Sequence, residues 1–368
     1  MKNTVTLVIQ LVMKLMTHAT GNQWIVSHVM IHAMAPCLNT IYAVQVTKVS
    51  VFNVMRATNM HKLFIEGHAM KQSIDKGLRL IIFTLLAPFI FVATAQASQP
   101  VWSSQIVFPA PQQIIAPLTT TIDSERQRYY VIDSQQSQIV SFDNQGQQLS
   151  TFNANSMLKT PVAMCFARPG KMWVVERATN ELLYIDLDTK QVRQFAVKDR
   201  QGKPLFIDHI ATDSQWQLYV SDRNSGKIFA LDDDLKIATT FNATDNGQLI
   251  DFKITPTGLW ALDGTNQSVF QFSLNGTLKR KVILNTQLDR PVSLALNDRN
   301  QIFILDRPQA KIAVFNSNGD HLYSFGKKGY RRGQLNYPNQ ILFDWQQRLC
   351  VVNQGNDRIE IFTPLSTK

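Results

Sequence analysis

Short stretches of alternating apolar and polar residues recur along this chain from about residue 115 to residue 363. In each repeat one alternating stretch ends in a carboxylate or an amide, a short polar turn follows, and a second stretch ends in an apolar or aromatic residue. This alternation, with Asn-Gly, Asp-Gly or Ser-Gly at the joints, predicts β-hairpins. The residues that end the first stretch are 43, 46, 41, 43 and 47 positions apart: Asp133, Glu176, Asp222, Asp263, Asp306 and Asn353.

A repeat of this length built from short strands is typical of the blades of a β-propeller. Each of the six repeats also opens with a further strand, so we predict an all-β, six-bladed β-propeller. The sixth repeat stops after its third strand, and one strand-like segment, 103–111, precedes the first repeat. We expect this N-terminal strand to complete the last blade and close the ring, because an unpaired sheet edge would otherwise stay exposed.

One linker and the blade after it carry a more specific pattern. Residues 324–344, SFGKKGYRRGQLNYPNQILFD, are followed by RLCVVNQGNDRIEIF, which combines a Gly-spaced linker, a Pro, an apolar strand and an Asn-x-Arg-Ile turn. This segment resembles the NHL repeat, and the other five blades follow that pattern more loosely. The resemblance implies a six-bladed propeller of a superfamily that includes binding modules, amidating lyases, lactonases and periplasmic scaffold proteins. Function has to be argued from the site, because one fold hosts many functions.

The composition divides the chain near residue 97. Residues 70–97 combine a basic start, an apolar core and the small-x-small sequence Ala95-Gln96-Ala97, which predicts a signal peptide. Residues 1–69 then form an unstructured extension upstream of a misassigned start, and 98–368 is the propeller, periplasmic or secreted. Of the 37 Lys and Arg and 27 Asp and Glu, this last part carries 29 and 25. The export signal disfavours a nucleic-acid partner, and we expect a monomer without a transmembrane span in its mature form.

Oxygen-bearing side chains open three of the innermost strands. In a propeller the first strand starts at one end of the channel and the second strand returns to that end, which the linkers between blades also reach; we call it the linker end. Asp208, Asp251 and Asn339 fall there, with His209 beside them. Carboxylate and amide oxygens suit Ca²⁺ or Mg²⁺, so one hypothesis is a metal site. The competing interpretation is that these groups cap backbone donors facing channel water.

The carboxylates and amide that end the second strands recur in every repeat, which a unique active site would not require. Asp and Asn favour such turns because their side chains accept backbone N–H groups two residues on. We therefore interpret them as structural.

Basic residues gather at the same end. Arg177, Arg223 and Arg307 directly follow second strands, and the linker between blades five and six adds Lys327, Lys328, Tyr330, Arg331 and Arg332. Together with His209 they predict a positive surface that binds a protein, an anionic glycan or another anionic partner. The alternative interpretation is that these residues lie on solvent-exposed turns and on a linker that the repeat requires, and that they bind no partner.

Catalytic motifs are sparse in 98–368. The segment lacks GxSxG, HExxH, Walker and GxGxxG sequences, and it holds two histidines, His209 and His321. Cys165 and Cys350 lie in strands of different blades and are predicted to be buried and unlinked. We predict a binding module or scaffold without a cofactor. The alternative is a metal-assisted lyase or lactonase-like hydrolase that uses Ca²⁺ or Mg²⁺ at the channel mouth.

Overall fold

The structure is a computed structural model that describes residues 17–20, 23–26, 49–50, 100–108, 114–244 and 246–365. The chain divides into two compact units, Met1–Gln96 and Ala97–Lys368. In the first unit, three short strands form one antiparallel sheet: β1 (Thr17–Thr20), β2 (Gln23–Val26) and β3 (Val49–Ser50). Residues 70–97 lie outside the described residues, so the signal peptide stays a prediction, as does the misassigned start.

The second unit is a six-bladed β-propeller, as predicted, in which every blade is a four-stranded antiparallel sheet. From the channel outward, blades one and two are β5 (Pro117–Asp123), β6 (Arg128–Asp133), β7 (Gln138–Phe142), β8 (Gln148–Phe152), and β9 (Pro161–Arg168), β10 (Lys171–Glu176), β11 (Glu181–Asp186), β12 (Val192–Phe195). Blades three and four are β13 (Ile207–Thr212), β14 (Leu218–Asp222), β15 (Lys227–Leu231), β16 (Ile237–Phe241), and β17 (Leu249–Thr255), β18 (Gly258–Asp263), β19 (Ser268–Phe272), β20 (Leu278–Ile283). Blade five is β21 (Pro291–Leu296), β22 (Ile302–Asp306), β23 (Lys311–Phe315) and β24 (His321–Phe325).

Blade six is completed by the N-terminal strand. It consists of β25 (Gln340–Phe343), β26 (Leu349–Asn353), β27 (Arg358–Leu365) and β4 (Val101–Phe108), with a 3-10 turn at Gln354–Asn356. Strand β4 pairs antiparallel with β27. The predicted ring closure is therefore confirmed.

Among the described residues no helix is long and apolar enough to cross a membrane.

The core lies between the blades. Six clusters of buried apolar side chains each join two consecutive blades. Neighbouring residues of one strand serve opposite clusters: Val131 packs towards blade six and Ile132 towards blade two. Side chains of a strand point alternately to the two faces of its sheet, and in a propeller both faces are covered. This explains why β18 is buried along its whole length and why the other second strands are largely buried. Cys165 and Cys350 are free and buried, as predicted.

The carboxylates that end the second strands join two segments of backbone. All five are buried, and Asp133, Glu176, Asp222 and Asp263 accept an N–H from the turn that follows, in line with the structural role inferred from the repeat. For example, Glu176 accepts from Ala178 N at 2.9 Å and also from Lys159 N and Thr160 N at 2.7 and 2.8 Å. The second set of bonds, to the chain entering the blade, was not predicted. It holds the beginning of each blade against its second strand.

Candidate functional site

Side chains at one position of the innermost strands link consecutive blades around the channel. The innermost strand of a blade has a sheet partner on one side only, so its inward backbone groups need other partners. In blade four, Asp251 Oδ2 accepts the backbone N–H of Leu294 in blade five at 2.8 Å. The equivalent side chains repeat this contact one blade further on: Ser293 Oγ accepts from Ile341 N at 3.2 Å, and Gln340 Oε1 accepts from Thr120 N at 2.7 Å. Asp251 therefore caps a backbone donor, as the competing interpretation proposed.

Asp251 is also the centre of a buried charged cluster. It is 2% exposed, and the ammonium of Lys253 lies 2.9 Å from both of its oxygens. The hydroxyl of Ser293 donates to Asp251 Oδ2 at 2.7 Å. His209 Nδ1 lies 3.8 Å from Asp251 Oδ1, which is too long for a hydrogen bond but close enough for electrostatic interaction. The carboxylate thus has a charged partner and several neutral donors.

The cluster shifts the pKa values of two of its members. Burial by itself raises the pKa of Asp251, but the Lys253 and His209 charges and the bonds from Lys253 and Ser293 lower it more, so the net pKa is below the ordinary 3.8. For His209 the loss of water contact in the channel lowers the pKa below 6.5, and Asp251 opposes this shift incompletely. At neutral pH Asp251 is therefore ionised and the His209 imidazole is mainly neutral.

The three predicted metal ligands each face a different cation. Asp208 forms an ion pair with Arg177, and Arg223 Nη1 lies 3.8 Å from the same Oδ1 atom. Asn339 Oδ1 accepts from Arg307 at 3.1 Å, while its amide nitrogen donates to Leu118 O. Within the described part of the chain, no group of three His, Cys, Asp or Glu side chains could hold a metal ion. These residues do not fit a divalent cation, because an ion would have to displace bound guanidinium or ammonium groups.

We expect added Ca²⁺ or Mg²⁺ to leave the melting temperature of the protein unchanged. A cation at 100 times its dissociation constant would stabilise the fold by about 2.7 kcal/mol if the site existed. The measurement is a thermal melt of the full chain with each ion and with chelator. A rise of several degrees that chelator reverses, and that Asp208→Asn abolishes, would revive the metal hypothesis.

Arg307 differs from the other arginines that follow second strands. Its Nη1 and Nη2 donate to Asn339 Oδ1 and Gln354 Oε1 at 3.1 and 2.8 Å. Its Nε is buried without a hydrogen-bond partner, and no described carboxylate lies within ion-pair distance. Burial and the nearby Arg290 lower its pKa from 12.5, yet a guanidinium stays charged in proteins. Arg307 is therefore a half-buried cation that only amide oxygens compensate.

The linker between blades five and six combines exposed groups with a fixed backbone. Lys327, Lys328, Tyr330 and Arg331 are exposed, and the tyrosine is 76% exposed. The guanidinium of Arg358 holds this loop through the carbonyl oxygens of the residues at 330, 331 and 334. Side chains on such a loop are presented without much loss of backbone entropy on binding.

Arg332 belongs to the same linker but has a second role. Its guanidinium donates to the carbonyl oxygens of Ser104, at 3.2 Å, and Gln105 in β4. It therefore fastens the strand that closes the ring.

Exposed charge is unevenly distributed between the two ends of the channel. Among the described residues of the linker end, the exposed carboxylates are Asp289 and Asp357. The exposed basic side chains there are Lys159, Arg177, Lys198, Arg200, Lys203, Arg223, Arg290, Lys311, Lys327, Lys328, Arg331 and Arg332. At the opposite end, which we call the far end, exposed acidic and basic side chains are about equally common. The linker end is thus positive, as the repeat alignment predicted.

A cavity of about 690 Å³ follows the channel towards the far end. It is lined by the innermost strands of blades one to four and six and by far-end turns, with Trp216 and Phe166 among its apolar residues. Sequence reasoning missed Lys253 and Trp216. Lys253 could have been found, because it lies two residues after Asp251 on one strand and therefore on the same face. Trp216 lies at a positive-φ turn position that Asn300 and Gln347 occupy in the corresponding turns of blades five and six.

Comparisons with known proteins support the fold and leave the family open. No protein-family model matches the chain, and no curated protein matches it either. Several solved structures are similar in fold. The chain is a six-bladed β-propeller. Virginiamycin B lyase from Staphylococcus aureus has a TM-score of 0.52 at 15% identity, with 70% of this chain and 84% of that chain covered.

Two other similar structures come from proteins with different descriptions. A gluconolactonase from Xanthomonas campestris has a TM-score of 0.54 at 12% identity and covers 69% of this chain and 87% of its own. An auxiliary nutrient binding protein from Bacteroides thetaiotaomicron has a TM-score of 0.52 at 14% identity, with 68% and 69% covered. At such identities the likeness shows the fold alone. The resemblance to NHL repeats is not confirmed.

Proposed function

We propose that this protein is an exported binding propeller that recognises a carboxylate-bearing partner at the linker end of its channel and performs no chemistry there. The partner is an acidic protein segment or an anionic glycan, because both carry the carboxylate that the site would recognise. Arg307 is the observation on which this proposal depends.

Arg307 meets the requirements of an anion anchor. Arginine binds carboxylates with two parallel hydrogen bonds, and it does so best where water is partly excluded. The Arg307 guanidinium is half-buried, is held in place by Asn339 and Gln354, and keeps a second hydrogen on each Nη for a further acceptor. Because no described acidic side chain pairs with Arg307, none would compete with an approaching carboxylate for its guanidinium.

The surroundings of Arg307 support the same partner. Five carboxylates of the linker end are the buried ones that end second strands, and backbone N–H groups already occupy them. The exposed side chains there are mainly basic, so the local potential attracts anions over a longer distance. Tyr330 adds a large exposed aromatic surface next to exposed basic groups, a composition common at protein interfaces.

The alternative, a metal-assisted lyase or lactonase-like hydrolase, receives less support from the side chains. It needs oxygen ligands that are free to bind an ion, and Asp208, Asp251 and Asn339 each have a cationic partner. The thermal melts with Ca²⁺ and Mg²⁺ described above test this alternative directly.

We expect the full chain to bind poly-L-glutamate and polygalacturonate, and to bind neutral dextran at least about tenfold more weakly. Biolayer interferometry at increasing NaCl measures this, since binding by exposed basic groups weakens with salt. Arg307→Gln should reduce affinity about tenfold or more, because a charged hydrogen bond contributes roughly 1.5–3 kcal/mol. A preference for one polymer would identify the source of the carboxylate.

Lys236→Gln is the matched control, since it removes one exposed positive charge at the far end. It should leave both affinities unchanged. Equal losses for the two variants would mean that net charge alone drives binding, and an unaffected Arg307→Gln would overturn the proposed anchor.

A further inference from the structure

The cavity at the far end holds polar groups that the fold itself does not use. Thr120 is 3% exposed and lines the cavity, yet its hydroxyl has no hydrogen-bond partner. The imidazole of His209, which is 39% exposed, also lines the cavity and makes no hydrogen bond to any described residue. A buried hydroxyl without a partner is costly to a fold. Such groups point to a ligand.

We propose that this cavity binds a small, uncharged, polyhydroxylated molecule, a carbohydrate of one or two rings. The cavity runs from the middle of the channel to the far end and is not lined by Arg307, so the proposal does not depend on the function proposed above. A volume of about 690 Å³ is within the range of small-molecule sites, which is roughly 300–1,000 Å³.

The charges of the cavity favour a neutral ligand. Deep in the channel Lys253 neutralises Asp251, whose oxygens are already used by Lys253, Ser293 and two backbone N–H groups. A cationic ligand would therefore meet an ammonium without a free carboxylate. At the mouth the ionisable lining residues are acidic, which disfavours an anion: Asp123, Glu125 and Asp213. A ligand without net charge avoids both costs.

The unused polar groups favour hydroxyls as their partners. A threonine hydroxyl and a neutral imidazole can each donate and accept a hydrogen bond, and a sugar hydroxyl does the same. The Lys253 ammonium has three hydrogens, and the two contacts to Asp251 leave donor capacity for a further acceptor. These groups lie on the innermost strands of blades one, three and four. A ring carrying several hydroxyls can contact more than one of them.

The mouth offers an aromatic surface for the apolar face of such a ring. Trp216 is 40% exposed there, and its backbone φ is 64°, a left-handed conformation that suits glycine and strains a bulky residue. Its N–H bonds Asp213 O at 3.0 Å, and Asn300 and Gln347, also at positive φ, make the same contact in the corresponding turns of blades five and six. Those two turns hold a polar residue at this position, whereas here an exposed tryptophan offers an apolar face at the mouth of the cavity.

The test is calorimetric titration of the full chain with maltose, galactose and N-acetylglucosamine, and with glucuronate and glucosamine as charged counterparts. We expect at least one neutral sugar to bind about tenfold more tightly than either charged one. No heat from any neutral sugar at about 50 mM, or a preference for a charged sugar, would overturn the proposal.

Two variants separate binding from stability. Thr120→Val removes only the unpartnered hydroxyl, so it should weaken sugar binding about fivefold without lowering the melting temperature. Trp216→Gly should weaken binding about tenfold while the melting temperature stays equal or rises. Thr240→Val, on an outer strand, and Arg307→Gln, at the linker end, are controls that should bind sugar normally. Normal binding by both cavity variants would refute the assignment of the site.

Discussion

A chain without residues 100–108 is expected to be largely unfolded at 37 °C. The deletion removes strand β4, so β27 loses its partner from Ile359 to Leu365. It also removes Phe108, whose ring lies 5.0 Å from those of Tyr129 and Phe142, and Trp102, which stacks on Phe325 at 4.9 Å. Losing one large buried aromatic costs about 3–5 kcal/mol, and the total stability of a domain is about 5–15 kcal/mol. Circular dichroism and calorimetry measure the loss.

Two point variants in the same strand calibrate this result. Phe108→Ala should lower the free energy of unfolding by about 3–5 kcal/mol, since the side chain is 1% exposed. Val101→Ala, at an exposed position of β4, should change it by less than about 0.5 kcal/mol. A deletion that melts like the intact chain would mean that the ring is closed by another contact.

Asp251→Ala is expected to destabilise the propeller by about 3–5 kcal/mol. It leaves the Lys253 ammonium without its carboxylate in the channel and removes the acceptor of Ser293 Oγ and Leu294 N. Asp208→Ala is the matched control, because its partners Arg177 and Arg223 are about half exposed and such pairs contribute roughly 0–1 kcal/mol. Urea denaturation at pH 7 gives both values. Similar losses for the two variants would contradict the buried role of Asp251.

The stability due to Asp251 should also depend on pH in a defined direction. Its pKa is lowered by folding, so the folded state prefers the ionised form. The contribution is complete above the ordinary pKa of 3.8 and disappears as the pH falls through the lower folded value. The difference between wild type and Asp251→Ala should thus shrink below about pH 4. A difference that grows on acidification would show that the pKa is raised instead. Replacing both partners, Asp251→Leu with Lys253→Met, should recover part of the loss.

The sequence by itself determined the number of blades and the way the ring closes. Period-2 alternation and turn residues act over a few positions, so six copies of the same local pattern predict six similar sheets. The missing strand after Phe362 and the unassigned strand before residue 111 then had one consistent pairing. The carboxylates that end the second strands were recognised for the same reason, since an Asp such as Asp133 bonds N–H groups two and three residues away.

The partners of the channel residues were decided by the tertiary structure. Asp251 bonds Ser293, 42 residues later, and Arg307 bonds Gln354, 47 residues later. Such pairs depend on the rotation between blades and on a bulge near the start of most innermost strands, as between Leu249 and Asp251. A shift of one residue there turns a side chain from one face of the strand to the other. Residue types alone therefore placed Asp208, Asp251 and Asn339 at one end of the channel, but the packing of the blades assigned each a separate cation.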